Sequence, residues 1–364
     1  MQVEQIFTSF IAQEKLELDN KSIAQFCYDK IKNELQENHL VLDNILGGVV
    51  LIQEASKKTR DYILSFGERN CAFILNEYLS QEGMKTQYID TRKYIKTDDT
   101  FGSARVNFNI TNKLLNDEFA GFDKIGIATG FIGSDLESGR TTTLGRGGSD
   151  YTAAIFASAL NAKELQIWTD VSGVLTSDPR KVSKAYPIKE LSYSEAMEMS
   201  HFGAKVLYFP TIRPVKEKGI PTRIKNTLKS DDEGTLIHNQ KSKGRRIISG
   251  LSSISNIALI SIEGTGLQGV SGIANRLFKS LAGGNINVVM ITQASSEHSI
   301  TVAINEEETG LAKEQIEKEF IFELDRKLID PIKIDKNLCL IAVIGQNMKN
   351  SPGVSGRLFQ TLGK

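Results

Sequence analysis

The sequence predicts an α/β protein with a largely parallel sheet, followed by smaller α+β modules of the ferredoxin-like kind. Two observations carry this. Between residues 83 and 226, short apolar runs alternate with helical segments, the pattern of parallel strands joined by helical crossovers. After residue 255 one stretch occurs twice: LISIEGTGLQGVSGIANRLFKSLA from Leu259 aligns without gaps onto LIAVIGQNMKNSPGVSGRLFQTLG from Leu340.

The elements follow in order. Residues 1–82 read as helices, because Ile6, Phe10, Ile11, Ile23, Phe26, Cys27, Ile31 and Leu35 recur at spacings of three and four. The Gly47-Gly48 pair is expected to break the pattern, and a second helix spans about Glu68–Leu79. Strands are expected at Thr86–Ile89, Ile125–Ala128, Leu165–Trp168 and Thr222–Ile224, with helices at Ser149–Leu160 and Ser194–Met199. Lys241-Ser-Lys-Gly-Arg-Arg246 reads as part of a solvated linker over residues 241–255. In the first repeat, strands at Ile286–Thr292 and Ser299–Ile304 and a helix through Gln315–Phe320 give a βαββα order, one strand short of βαββαβ. The second copy stops at Lys364, directly after its first helix, so the chain reads as a piece of a longer protein.

Composition narrows the function. Lys plus Arg number 44 and Asp plus Glu 44, so no net basic charge is available to neutralise a nucleic-acid backbone. Cys27, Cys71 and Cys339 are odd in number and far apart, which argues against a disulfide framework and for a reducing compartment. The histidines form no HExxH pair, no apolar run approaches the length of a membrane span, and the N-terminus lacks a basic signal-peptide region. The expectation is a cytoplasmic protein that binds neither nucleic acid nor membrane.

Chemistry concentrates in three segments. The first is Gly130-Phe-Ile-Gly133, then Thr141-Thr-Thr-Leu-Gly-Arg-Gly-Gly-Ser-Asp150, then a helix. Glycines allow close backbone approach to an anion. The helix opening at Gly148, Ser149 and Asp150 turns free N–H groups and a positive dipole end toward the loop. Arg146 can fork onto a carboxylate or phosphate. The loop is neither a Walker A sequence nor a dinucleotide GxGxxG, and the protein-kinase HRD and DFG sequences are absent. The second segment is Ile167-Trp-Thr-Asp-Val-Ser-Gly-Val-Leu-Thr-Ser-Asp-Pro-Arg180. Its Thr169-Asp170 turn lies at the carboxyl end of a strand, where ligands of open α/β sheets sit. Trp168 reads as core. The third is Met199-Ser-His-Phe-Gly-Ala-Lys-Val206, with Lys205 a charge placed in apolar surroundings and His201 structural.

GFIG, TTTLGRGGSDYTAA, IWTDVSGVLTSDPR, SYSEAMEMSHFGAKVL and GIPTRIKNT resemble the successive motifs of the aspartate kinases, and SFGERN around Glu68 resembles their earlier substrate motif. The repeat resembles that family's paired ACT regulatory domains. ITQASSEHSI and IEKEFIFEL are most similar to the bifunctional aspartokinase–homoserine dehydrogenases. The resemblance spans about residues 45–364. It implies an amino-acid kinase fold, a largely parallel sheet sandwiched by helices, over residues 1–240. A first ACT domain would follow at 256–335 and the start of a second at 336–364.

The activity implied is phosphoryl transfer from ATP, with Mg²⁺, to the side-chain carboxylate of L-aspartate, the first step of lysine, threonine and methionine biosynthesis. A carboxylate nucleophile is ionised at neutral pH, so positioning and charge neutralisation suffice. Glu68 would take the substrate ammonium and Arg146 its α-carboxylate. Asp150 and Lys205 are the implied catalytic pair. Ser149, Thr169, Asp170, Leu175, Arg180 and Lys205 would contact the nucleotide. Leu175 stands where many relatives carry tyrosine, and Leu207-Tyr-Phe-Pro210 where a His-Pro pair is usual. Gly266, Asn285 and Gln293 would bind an effector, threonine or lysine, between ACT modules that pair in a homo-oligomer. A homoserine dehydrogenase domain would complete the longer protein. The family's opening KFGG[TS]S strand has no counterpart here, so this chain alone is expected to be inactive. The alternatives are a non-catalytic ACT-based amino-acid sensor and a kinase of another amino acid.

Overall fold

The computed structural model describes residues 21–203, 208–239, 247–264, 272–293 and 299–363. In chain order the elements are α1 (Lys21–Ile52), α2 (Lys57–Gln81), β1 (Thr86–Ile89), β2 (Lys96–Thr97), α3 (Phe108–Phe119), β3 (Ile125–Ala128), β4 (Ile132–Asp135), β5 (Thr141–Thr143), α4 (Gly148–Ala159) and β6 (Leu165–Thr169). Then come β7 (Glu190–Ser192), α5 (Tyr193–His201), α6 (Phe209–Lys218), β8 (Thr222–Asn226), β9 (Thr235–His238), β10 (Gly250–Glu263) and α7 (Ile273–Gly283). The last are β11 (Met290–Gln293), β12 (Ser299–Asn305), α8 (Thr309–Glu319), α9 (Ile321–Asp325), β13 (Lys333–Ile344) and α10 (Val354–Leu362). They fall into two units, one drawn from residues 1–173 and 207–240, the other from 174–206 and 241–364.

In the first unit, α1 and α2 pack as a helical pair through Cys27, Ile31, Leu35 and Ile74. Lys30 pairs with Glu77 at 2.6 Å, and Asn38 donates to Asn70 at 2.9 Å. The expected break at Gly47-Gly48 does not occur; α1 runs through both. Each glycine costs a helix about 1 kcal/mol relative to alanine, which a 32-residue helix absorbs. The break comes instead before Ser56, whose side chain accepts from the Thr59 N–H and caps α2.

β1 and β3 pair in parallel, Thr86 opposite Ile125. β2 and β4 are also parallel, and β4 turns back antiparallel to β5. Ile89, Ile95, Leu115, Phe119, Leu144 and Ile155 form the shared core, which fixes α4 against these strands. β6 runs parallel to β8, which pairs antiparallel with β9, and α6 packs on α4. Trp168, read as core from its apolar context, is 46% exposed. Leu165 and Ile167 take the buried side of β6, so strand alternation turns Trp168 outward, under the Lys225 ammonium at 4.8 Å.

The second unit is built on an antiparallel sheet in the order β11-β12-β10-β13, with α7 and α8 packed together. Ile260, Ile262, Leu277, Leu281, Val302, Ile304, Ile316 and Phe320 make its core. The sequence reading left this module one strand short. β13 supplies it, pairing Lys333 with Ser261 at one end and Ile344 with Gly250 at the other. The same strand opens the second repeat, which is why the repeat alignment hid its role in the first. In the 174–203 segment, Ser192 and Glu195 form a capping box at the start of α5. No helix among the described residues is long and apolar enough to cross a membrane.

Candidate functional site

A cleft of about 730 Å³ opens in the first unit, between α2, the Phe101–Ser103 loop and the glycine segment leading into α4. It brings together Glu68, Arg146, Ser149 and Asp150, residues the sequence singled out from two segments about eighty positions apart. Glu68 projects from the middle of α2. Ser149 and Asp150 stand in the first turn of α4, and Arg146 precedes it.

The backbone there is built for close approach. Gly145 and Gly147 sit at φ +75° and +70°, a region that disfavours any Cβ. Gly148 lies so close to Phe131 that an added Cβ would be 2.5 Å from its ring. Phe131 itself holds a left-handed φ of +68°, and its N–H donates to Thr152 Oγ1 at 3.0 Å. A bulky residue held in that region is strained, and its backbone is tied on both sides, because its C=O also accepts from the Leu144 N–H at 2.9 Å.

The electrostatics favour a cationic guest. Burial pushes the Glu68 carboxyl above its ordinary value, although the Ser149 side chain and Gly130 backbone hydrogen-bond it. Burial also raises Asp150. Two carboxyls are thus drawn partly out of water, and no cation among the described residues offsets the burial of either. Arg146 is exposed at the rim and makes no hydrogen bond or ion pair to a described residue, so its guanidinium is available to an anion.

One residue here was missed in the sequence. Asp61, 1% exposed, lies seven positions before Glu68 on the same face of α2. Its carboxylate accepts from the Gly102 N–H, the Thr143 N–H and the Thr143 hydroxyl, each at 2.9 Å. The available signal was the polar row Asp61, Ser65, Glu68, spaced four and three along one face of α2.

The remaining described site residues are not gathered into this cleft. Thr169 ends β6, with its hydroxyl on Asp170 at 3.1 Å, and Asp170 is exposed at that carboxyl edge. Leu175 and Arg180 belong to the second unit. Leu175 bridges to Pro187, and the exposed Arg180 forks onto Asp178, whose carboxyl it holds down at about 2. Among effector residues, Asn285 follows α7 with φ +54°, and Gln293 is exposed at the end of edge strand β11. Lys205 and Gly266 lie outside the described residues.

Two family profiles match the chain: the amino acid kinase family over residues 12–226 and an ACT domain over 260–320. The fold superposes on Escherichia coli aspartokinase III crystallised with aspartate and ADP in its R-state, with a TM-score of 0.76 at 30% identity, covering 91% of this chain and 73% of that one. The chain belongs to the aspartokinases of the amino acid kinase family. The same E. coli enzyme with lysine and aspartate, in its T-state, matches this chain with a TM-score of 0.71 at 32% identity, covering 92% of this chain and 73% of that one. The bifunctional aspartokinase/homoserine dehydrogenase of Buchnera aphidicola is 33% identical over 341 residues, 93% of this chain. The chain spans 42% of the length of that relative.

Proposed function

We propose that this chain carries the aspartate site of an ATP-dependent aspartate kinase, which forms 4-phospho-L-aspartate. The observation that supports this reading best is the pairing inside one cleft of a desolvated, cation-seeking Glu68 with an unpaired Arg146. An α-amino acid presents those two complementary charges. Glu68 takes the ammonium, Arg146 forks onto the α-carboxylate, and the side-chain carboxylate is left free as the nucleophile. That group is already ionised, so no base is required of the protein.

Asp150, at the N-terminus of α4, and Ser149 stand beside the nucleophile, where the helix end favours phosphoryl oxygens. Thr169 and Asp170 occupy the strand edge suited to the nucleotide, with Leu175, Arg180 and Lys205 on the segments that follow. Bound Mg²⁺ would neutralise phosphate charge, held by phosphate oxygens together with a carboxylate such as Asp170. Threonine or lysine is the proposed effector of the ACT region, at Gly266, Asn285 and Gln293. A homo-oligomer paired through the ACT sheets, and a homoserine dehydrogenase domain in the longer protein, complete the proposal.

The test is calorimetry of the chain with L-aspartate; trapping of acyl phosphate with hydroxylamine, in the presence of ATP and Mg²⁺, is expected to yield none from this chain alone. Aspartate binding that Glu68→Gln and Arg146→Ala each abolish is the expected result. Equal binding of L-glutamate, one methylene longer, would point to a kinase of another amino acid. No binding of any amino acid in the cleft overturns the reading.

A further inference from the structure

We propose that Asp61 is a positioning residue for the amino-acid subsite, one that fixes the distance between its two loop walls from beneath. The proposal rests on the aspartate reading above. It concerns a buried carboxylate to which that reading gives no role.

The geometry is specific. Asp61 Oδ2 accepts two backbone N–H groups from different parts of the chain, Gly102 in the Phe101–Ser103 wall and Thr143 at the end of β5. Oδ1 takes the Thr143 hydroxyl. Above the carboxylate the two walls also touch: Ala104 N–H donates to Thr143 C=O at 2.9 Å, and a Cβ built on Gly145 would sit 3.3 Å from Gly102 C=O. Leu144 and Gly145 are all that separate Thr143 from Arg146. Asp61 is on the helix that carries Glu68. One side chain therefore ties the helix of the ammonium partner to the loop of the carboxylate partner.

A buried carboxylate beside a subsite for an anionic substrate would ordinarily repel it. Three donors on its two oxygens offset that charge at the source. With its proton given to Asp61, the Thr143 hydroxyl can only accept, so this wall of the cleft presents lone pairs rather than a donor.

The experiment compares Asp61→Ala, Asp61→Asn and Asp61→Glu in the full chain, reading L-aspartate affinity by calorimetry and ATP affinity separately. Asp61→Asn can keep every bond, because its carbonyl oxygen accepts both amides and its NH₂ donates to a rotated Thr143 hydroxyl. Asp61→Ala loses all three. Asp61→Glu keeps charge and acceptors but pushes the walls outward by a methylene. Misplacement of reacting groups by an ångström costs about 100-fold. Expected is a fall in aspartate affinity of roughly 10- to 100-fold for Ala and Glu, recovery to within about threefold for Asn, and ATP affinity unchanged throughout. If Asp61→Ala does not fold, the contrast between Glu and Asn carries the same information. Aspartate affinity equal to the unaltered chain in Asp61→Glu overturns the proposal. So does a parallel loss of aspartate and ATP affinity, the mark of general unfolding. Failure of the unaltered chain to bind aspartate overturns the underlying reading, and this proposal with it.

Discussion

Replacing Gly130 by alanine tests how closely the glycine turn must approach α4. A Cβ at position 130 would lie 2.8 Å from Ser149 Oγ, 2.9 Å from its Cβ and 3.1 Å from its Cα. Carbon contacts settle at about 3.5–4.0 Å, so the Ser149 backbone must retreat by roughly half an ångström. Rotating the hydroxyl away does not relieve this, because the closest carbon contacts include the main chain. Overpacking of this kind costs about 1–3 kcal/mol. For a unit of this size each kcal/mol lowers Tm by about 2–4 °C, so a loss of about 4–8 °C is expected near the middle of that range. The same retreat pulls Ser149 from Glu68, and aspartate affinity should drop about tenfold, on the scale of 100-fold per ångström. The control is Gly67→Ala, one residue before Glu68. Nothing lies within 4 Å of a Cβ there and the position is helical, so alanine should stabilise by about 0.5–1 kcal/mol and leave binding intact. Calorimetric Tm and aspartate titration read both variants. A Gly130→Ala protein with unaltered Tm and affinity, beside a stabilised Gly67→Ala, would refute the close-approach argument.

Arg146→Lys keeps the charge and loses the fork, so aspartate affinity should weaken by about ten- to a hundredfold, the range of a charge-assisted pair, with ATP affinity unchanged. Burial raises Glu68 above its ordinary 4.5, so the folded chain holds that proton more tightly than the unfolded one. The stability this contributes is present at low pH and lost as pH rises through the raised value. Aspartate binding runs the opposite way and should weaken as pH falls into that range, as pH-dependent titration of the unaltered chain would show. Leu277→Ala, in the fully buried ACT core, should destabilise the second unit by about 2–5 kcal/mol, measured by denaturant unfolding. Threonine or lysine should raise the melting temperature of the second unit, and Gln293→Ala should abolish that shift. Absence of any shift with either amino acid would count against an effector site there.

Strands Thr86–Ile89 and Ile125–Ala128 were legible to the residue because each is a short run rich in strand-forming side chains between turn signals. The Arg146–Asp150 loop was legible because its chemistry is local: a glycine-rich turn, a helix start and a charge in contiguous sequence, whereas Glu68 was reached only through the resemblance of SFGERN to a family motif. Asp61 was not legible. Its partners are 41 and 82 residues away along the chain, and no local pattern announces a hydrogen bond made by folding. Trp168 failed for a related reason, since periodicity tells which residues share a face of β6 but not which face is covered. Gly47-Gly48 misled because propensity is a weak prior against 32 residues of continuous helix.

The long pairing of β10 with β13 has a consequence for local opening. At one end, Ile257–Ser261 is clamped between β12 and β13 inside the ACT core. At the other, Leu251 N–H donates to Thr176 C=O at 2.8 Å, Ser252 donates to Met199 C=O, and Glu195 accepts from both Ser249 and the Gln346 amide. Thr176 and helix α5 are therefore anchored where β10 begins and β13 ends. The Leu251 amide that holds Thr176 should exchange with solvent in one cooperative group with those of β10. Any small molecule that settles on the ACT sheet at a hundred times its Kd would deepen that protection by about 2.7 kcal/mol, reaching Thr176 and its neighbours without touching them.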